Sequence, residues 1–224
     1  ANNSVAYKGK PEMGTFMREW LALYDSKSGE RGIFNREAAD VQVARNERRE
    51  TGHMWGTNPC SEIILRPYQF CNLSEVVVRE HDTLDSFKRK VRLATILGTL
   101  QSTLTDFKYL RKVWKTNTED ERLLGVSLTG IMDHSILSKT VDSPRWLEEM
   151  RQTAVDTNLK YANMLGIPQS AAITCVKPSG TVSQLVDAAS GIHARHNDYY
   201  IRTVRGDNKD PLTQFLKEQG VYSE

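Results

Sequence analysis

Asn58-Pro-Cys-Ser-Glu-Ile-Ile-Leu-Arg-Pro67, followed closely by Cys71-Asn-Leu-Ser-Glu75, is the stretch that gathers the reactive side chains of this chain. In an extended conformation side chains alternate between two faces, so Asn58, Cys60 and Glu62 project to one side. An amide, a thiol and a carboxylate then share one small volume. Pro59 and Pro67 turn Asn58 and Arg66 away from the helical region, which favours an extended or looped path. Glu62 to Leu65 and Cys71 to Arg79, the latter with Val76-Val77-Val78, read as strands.

Working outward, helical and strand patterns alternate. Met13 to Tyr24 carries apolar residues at helical spacing, Asp25 to Gly32 is a polar loop, and Gly32 to Arg36 is a short strand or turn entering a second helical run through Ala38, Val41 and Ala44. After the central stretch, His81-Asp-Thr-Leu84 supplies capping residues for a long helix from about Asp85 to about Tyr109, with Phe87, Val91, Leu93, Ala94, Leu97, Leu100 and Leu104 as its apolar positions. Leu123 to Ile131 reads as a buried strand leading into a helix. Ser143 as N-cap and Pro144 as first residue open another helix, which Gly166-Ile-Pro168 ends. Ala171 to Val176 reads as a buried strand, Tyr199 to Arg205 as an alternating strand, and Pro211 to Glu218 as a terminal helix. Such alternation points to an α/β architecture with parallel pairings.

The 224 residues suffice for one large domain or a substantial part of a bigger one, with 39% hydrophobic and 26% charged residues. A formal net charge of +2 gives no argument for nucleic acid or a membrane surface. The basic runs Arg48-Arg49 and Lys88-Arg89-Lys90 are interleaved with acids or lie on helix faces, so they read as solvated faces. No apolar run spans a bilayer and Ala1-Asn-Asn-Ser-Val lacks the pattern of a secretory signal, so a cytoplasmic location is expected. Cys60, Cys71 and Cys175 make no even disulfide framework and no Cys-x-x-Cys pair, so free thiols and no metal site are expected. The chain does not begin with methionine, which suggests a start inside a longer gene product or a processing boundary.

Cys60 and Cys71 would face a shared pocket if the chain doubled back at Arg66 to Gln69; the plain alternative is two inert, buried thiols. Glu62 and Asn58 tip the balance. A carboxylate on the face of a thiol suits a general base, and an amide suits a substrate hydroxyl. Downstream, Lys177-Pro-Ser-Gly-Thr-Val-Ser183 sits between a strand and a helical run. Ser179, Gly180, Thr181, Val182 and Ser183 there would offer backbone N–H groups and hydroxyls to a phosphate, an ordinary helix cap being the plain alternative. It is not a Walker loop, because Lys177 precedes the glycine. His193 and His196 lack a third ligand nearby and read as surface or hydrogen-bonding histidines, and Cys175 reads as an inert core thiol.

Asn58-Pro59-Cys60-Ser61-Glu62 with Cys71-Asn72-Leu73 resembles the finger-loop signature of the ribonucleotide reductase catalytic subunit. Gly32-Ile-Phe-Asn35, Leu124-Gly-Val-Ser-Leu-Thr-Gly130, the Lys177 to Ser183 loop and Ser190-Gly-Ile-His193 agree with that family in order. The wording of the last two is most similar to the adenosylcobalamin-dependent (class II) enzymes. The resemblance implies part of a ten-stranded α/β barrel, roughly its later half, with a finger loop at 58–71 and a phosphate loop at 177–183. It implies that Cys60 becomes a thiyl radical and takes the 3′ hydrogen of the ribose, that Glu62 takes the 3′-hydroxyl proton, that Asn58 holds the sugar, and that Cys71 is one of two reducing thiols. It also implies a ribonucleoside di- or triphosphate substrate, adenosylcobalamin as cofactor and a thioredoxin-like reductant.

The sequence departs from that family in having no cysteine before Cys60 to partner Cys71 and no C-terminal cysteine pair. The remaining half of the barrel is therefore expected as a partner. Tyr199-Tyr200 comes too soon after the phosphate loop to match the radical-transfer tyrosines of class I reductases. Two other readings stand beside this one: a glycyl-radical barrel, faintly suggested by Arg202-Thr-Val-Arg-Gly206, and a non-catalytic α/β scaffold with buried thiols.

Overall fold

The computed structural model describes residues 3–28, 31–45, 47–139, 141–201 and 203–223, in two units, 1–194 and 195–224. Parallel pairing organises the first unit. β1 (Asn3–Tyr7) and β2 (Arg31–Asn35) run parallel with Val5 opposite Ile33, and α1 (Met13–Ser26) lies between them in sequence. Glu12 caps α1 by accepting from the N–H groups of Gly14 and Thr15, each at 2.7 Å. Asn35 ends β2 and caps α2 (Arg36–Ala44) at once, its Oδ1 accepting from Glu37 and Ala38. Ala39 and Val43 of α2 then bury against Trp55, with Phe34 and Ile64 completing that cluster.

β3 (Gly56–Thr57) and β4 (Ile64–Leu65) form a small antiparallel ladder, and β5 (Asn72–Val77) follows after a turn at Tyr68, whose φ is 57°. α3 (Leu84–Gln101) begins in a capping box made by Thr83 and Ser86. α4 (Lys112–Glu121) leads to β6 (Leu124–Thr129), which pairs in parallel with β5, Leu73 opposite Gly125. Val126 also bridges in parallel to Thr174, so the 171–175 segment lies along the other edge of β6. α5 (Ser143–Leu165) closes at Gly166 in the left-handed region, φ 66°, and α6 (Val182–Leu185) is a single turn. The main core joins this sheet to α3 and α5 through Val76, Phe87, Val91, Val126, Met150 and Ile173. In the second unit, α7 (Pro211–Glu218) is capped by Asp210.

Several elements differ from the sequence reading. The helix expected to about Tyr109 ends at Gln101, where the hydroxyls of Ser102 and Thr103 bond the carbonyls of Thr99 and Leu100 and consume the acceptors another turn would use. Its buried stripe is Phe87, Val91, Thr95, Gly98 and Thr99, whereas Leu93 and Leu104 stand 59% and 73% exposed. A short 3-10 turn, Ile131–Asp133, follows β6 instead of an α-helix. Asp142, not Ser143, is the N-cap of α5. The strand expected at Tyr199 to Arg205 is absent among the described residues there, Arg202 lying outside them, and Ile201 is 97% exposed.

Candidate active site

The cysteine stretch folds as a tight turn and not as a strand. Ser61 donates its N–H to the Asn58 carbonyl at 3.0 Å and takes a φ of 64°, so the alternation expected for Asn58, Cys60 and Glu62 does not hold. The reason lies in Asn58. Its N–H donates to the Ile63 carbonyl at 3.3 Å and its Oδ1 accepts from the Ile63 N–H at 3.1 Å, which closes the loop on itself. Cys60 stands exposed at the tip, and Glu62 points inward.

Glu62 is fully buried at the side chain, and Lys177 donates to its Oε1 at 2.8 Å. Its other oxygen, Oε2, is buried without a hydrogen-bond partner. Burial alone pushes this carboxyl up, but the hydrogen bond from Lys177 and the nearby Asn58 amide outweigh it and hold it below the usual carboxylate range. Glu62 lines two clefts. One, of about 640 Å³, includes Ser61, Val126, Ser127 and Cys175; the other, of about 730 Å³, includes Arg48, Ile63, Arg151 and Thr174.

Cys71 and Cys175 are both half-buried and share the small apolar cluster of Ile63, Leu123 and Ala171. Burial pushes the Cys71 thiol up, and the Glu62 charge adds to this while Lys177 offsets part of it. Burial pushes Cys175 higher still, to about 12, again with Glu62 contributing. Both thiols therefore keep their protons at neutral pH. The sequence reading set Cys175 apart from the finger loop, yet its sulfur would lie 3.0 Å from a Cβ at Gly125, as would Ile63 Cδ1. Nothing local in sequence signals this neighbourhood, because β6 is the strand that creates it.

The 177–183 loop runs from the edge of the sheet into α6. Ser179, in the left-handed region at φ 54°, is buried and donates to the Glu75 carboxylate, while Ser183 donates to the Ser179 carbonyl. Those two hydroxyls are thus engaged within the chain. Gly180, Thr181 and Val182 are exposed, and the first α6 bond runs from Gln184 N–H to the Thr181 carbonyl. The Ser190-Gly191 pair explains itself here: Ser190 donates to the carbonyls of Pro178 and Ser179, and a Cβ on Gly191 would lie 2.5 Å from the Lys177 carbonyl oxygen.

Behind the finger, a buried ionic network ties its exit to α4. Arg49 meets Glu121 in a fork at 2.7 and 2.9 Å, Arg66 reaches the same carboxylate at 3.2 Å, and Gln69 donates to it at 2.6 Å while accepting from Arg66 N–H at 2.9 Å. The chain turns here at Tyr68, φ 57°, and Cys71 joins the cluster of Ile63, Leu123 and Ala171 while Cys60 stays exposed, so neither of the two clefts that Glu62 lines is shared by both thiols. Lys88 and Lys90 of the basic run pair with Glu149 and Asp82. His193 contacts the Ser190 carbonyl through Nδ1, and His196, in the second unit, lies edge-on to Tyr200. Among the described residues no group of three His, Cys, Asp or Glu side chains is arranged for a metal ion, and no helix is long and apolar enough to cross a membrane.

Comparison with known proteins fits this geometry. The family described as "Ribonucleotide reductase, barrel domain" matches residues 12–141. The adenosylcobalamin-dependent ribonucleoside-triphosphate reductase of Lacticaseibacillus paracasei is 31% identical over 234 residues, covering 91% of this chain and 31% of that protein. The enzyme of the same name from Lactobacillus leichmannii is 27% identical over 263 residues, covering 100% of this chain and 33% of its own length. A crystal structure of B12-dependent (class II) ribonucleotide reductase superposes with a TM-score of 0.59 at 25% identity, over 86% of this chain and 30% of that one. The chain thus spans about a third of the length of the curated relatives it matches. Parallel βαβ pairing, a cysteine at the tip of a short hairpin and a family match over more than half of the residues lead to one conclusion: this chain belongs to the ribonucleotide reductase barrel-domain family.

Proposed function

We propose that this chain carries the thiyl-radical site of an enzyme that reduces ribonucleoside triphosphates to deoxyribonucleotides, working with the remainder of the barrel. The observation that carries the reading is the buried, charge-paired Glu62, whose unpartnered oxygen lies at the base of a turn that presents Cys60 at its tip. Adenosylcobalamin, named in the relatives, would supply the initial one-electron oxidation of the Cys60 thiol. The exposure of Cys60, unlike its two half-buried companions, leaves its sulfur open to so bulky a radical source.

Each residue then has a defined task. The Cys60 radical takes the hydrogen from C3′, forming S–H and leaving a carbon radical. Glu62 accepts the 3′-hydroxyl proton at Oε2, and Asn58 steadies the turn and the sugar. Cys71, protonated because it is buried, gives its proton to the departing 2′-hydroxyl, which leaves as water. Cys71 and a second thiol from the remaining barrel supply two electrons and end as a disulfide, the second thiol's hydrogen going to C2′ in place of the lost hydroxyl, while Glu62 returns its proton to the 3′ oxygen. Hydrogen then returns from Cys60 to C3′ and the radical is regenerated. A thioredoxin-like reductant and a cytoplasmic location go with this cycle. The N–H groups of the exposed residues Gly180, Thr181 and Val182, with the Thr181 hydroxyl, are proposed for the substrate phosphates, in preference to the inward-turned Ser179 and Ser183 hydroxyls.

The test is product formation by the complete enzyme with adenosylcobalamin and a ribonucleoside triphosphate. Deoxynucleotide is expected from the wild type and none from Cys60→Ser. Undiminished turnover by Cys60→Ser would end the proposal.

A further inference from the structure

We propose that Lys177 is a positioning residue for Glu62, holding one carboxylate oxygen so that the other alone is offered to the sugar; this rests on the function proposed above. The pair is separated by 115 positions in sequence, yet Lys177 Nζ lies 2.8 Å from Glu62 Oε1, with 25% of the lysine side chain and none of the glutamate side chain exposed. A carboxylate has two acceptor oxygens, and Oε2 is buried with no partner. Leaving a buried acceptor unsatisfied is unfavourable, so such an atom on the wall of a cleft calls for a donor from whatever fills the cleft. A hydroxyl donor fits it, and a second carboxylate does not.

The lysine is itself aimed. Ser190 grips the two carbonyls that follow Lys177, and Gly191 leaves the space in which its backbone lies, so the motif around Ser190 fixes the root of the side chain. Lys177 also lies near Cys60 and Cys175. The Lys177 to Ser183 stretch therefore divides its labour: its first residue serves the sugar end of the substrate, and its later residues face the phosphate end. Burial opposes ionisation of the Glu62 carboxyl, and the Lys177 bond works against that, favouring the ionised form a base requires. The other charged groups around the clefts that Glu62 lines are Arg45, Glu47, Arg48, Arg49, Glu148 and Arg151. Of the bonds that hold the Glu62 carboxyl down, that from Lys177 is the largest, and the Asn58 amide adds to it.

The experiment measures kcat and KM across pH for the complete reductase and for Lys177→Met, Lys177→Arg and Glu62→Gln. Lys177→Met is expected to move the acidic limb of kcat upward by at least about one pH unit and to lower kcat at neutral pH by about tenfold or more, with KM changed less than about threefold. Lys177→Arg is expected to restore most of both. An unmoved acidic limb, or an effect confined to KM for the triphosphate, would overturn the role and make Lys177 a phosphate contact. If Lys177→Met does not fold, Lys177→Arg carries the test alone: an acidic limb kept near that of the wild type agrees, and a limb displaced as far as a neutral residue would displace it contradicts. Full activity of Glu62→Gln would instead overturn the proposed function itself, which separates the two failures.

Discussion

Glu62 and Lys177 meet at 2.8 Å between the finger turn and the loop that follows the sheet, one side chain fully buried and the other mostly so. The folded pKa of Glu62 is depressed, so its contribution to stability is in place above the ordinary carboxyl value of 4.5 and is lost as pH falls through the lower folded value. That of Lys177 is raised, chiefly by its bond to Glu62, so its contribution is in place below the ordinary 10.5 and is lost as pH rises through the higher folded value. Lys177→Met should therefore destabilise the protein by about 2 kcal/mol on the plateau between those values, and by progressively less as pH falls through the lowered folded value of Glu62. Thermal unfolding against pH checks this. An equal loss at neutral and acidic pH would mean the lysine acts by packing alone.

Glu121 is the common acceptor of Arg49, Arg66 and Gln69, and its carboxyl is held down by the Arg49 bond against the opposing effect of burial. Glu121→Gln would leave Arg49 buried without its counter-charge, at a penalty of about 3 kcal/mol or more. Because Gln69 and Arg66 also form the exit of the finger, amide exchange at 66–70 should rise in the variant more than at α5. Uniform exchange across both segments would contradict this linkage.

Much of this architecture was legible before any coordinates. The capping residues around Thr83 and the stop at Gly166 announced two helices through turn chemistry, the run through Ala38, Val41 and Ala44 announced α2, and Val76-Val77-Val78 announced β5. α4 was not legible, because its buried residues are Thr118 and Glu121 and its inner face is held by ions instead of apolar periodicity. The alternation from Tyr199 misled for the opposite reason: an apolar pattern with no partner surface, as at Ile201, forms no strand. At the site, residue types pointed to Asn58, Cys60, Glu62 and Cys71, but a turn and not strand alternation sets their geometry. The pairing of Lys177 with Glu62 was not legible, because no local spacing relates the two residues.

A side chain at Gly125 would have to displace its neighbours: an added Cβ would overlap Leu73 Cδ2 and sit 3.0 Å from both Cys175 Sγ and Ile63 Cδ1. Gly125→Ala should therefore destabilise by about 1–3 kcal/mol and displace Ile63 at the root of the finger turn. Lowered activity with a shifted unfolding midpoint is the expected outcome. An unchanged midpoint would show that these side chains repack freely.

Asn158, fully buried on α5, donates to the hydroxyls of Thr99 and Ser170 at 3.0 Å each and accepts from Ser170 N–H at 2.9 Å. It joins α3, α5 and the entry to the 171–175 segment. Asn158→Ala should lower stability by about 2–4 kcal/mol through the unpaired amide and the cavity, while substrate KM stays unchanged in folded protein. A loss below about 0.5 kcal/mol in denaturant titration would mean water replaces the side chain.

The central claim is the division of work between the two finger cysteines, and tritium release from [3′-3H]-labelled ribonucleoside triphosphate tests it most directly. With the complete enzyme and adenosylcobalamin, Cys71→Ser is expected to keep releasing tritium while failing to make deoxynucleotide cleanly, and Cys60→Ser is expected to release none. Equal release by the two variants would contradict the assignment of the radical to Cys60.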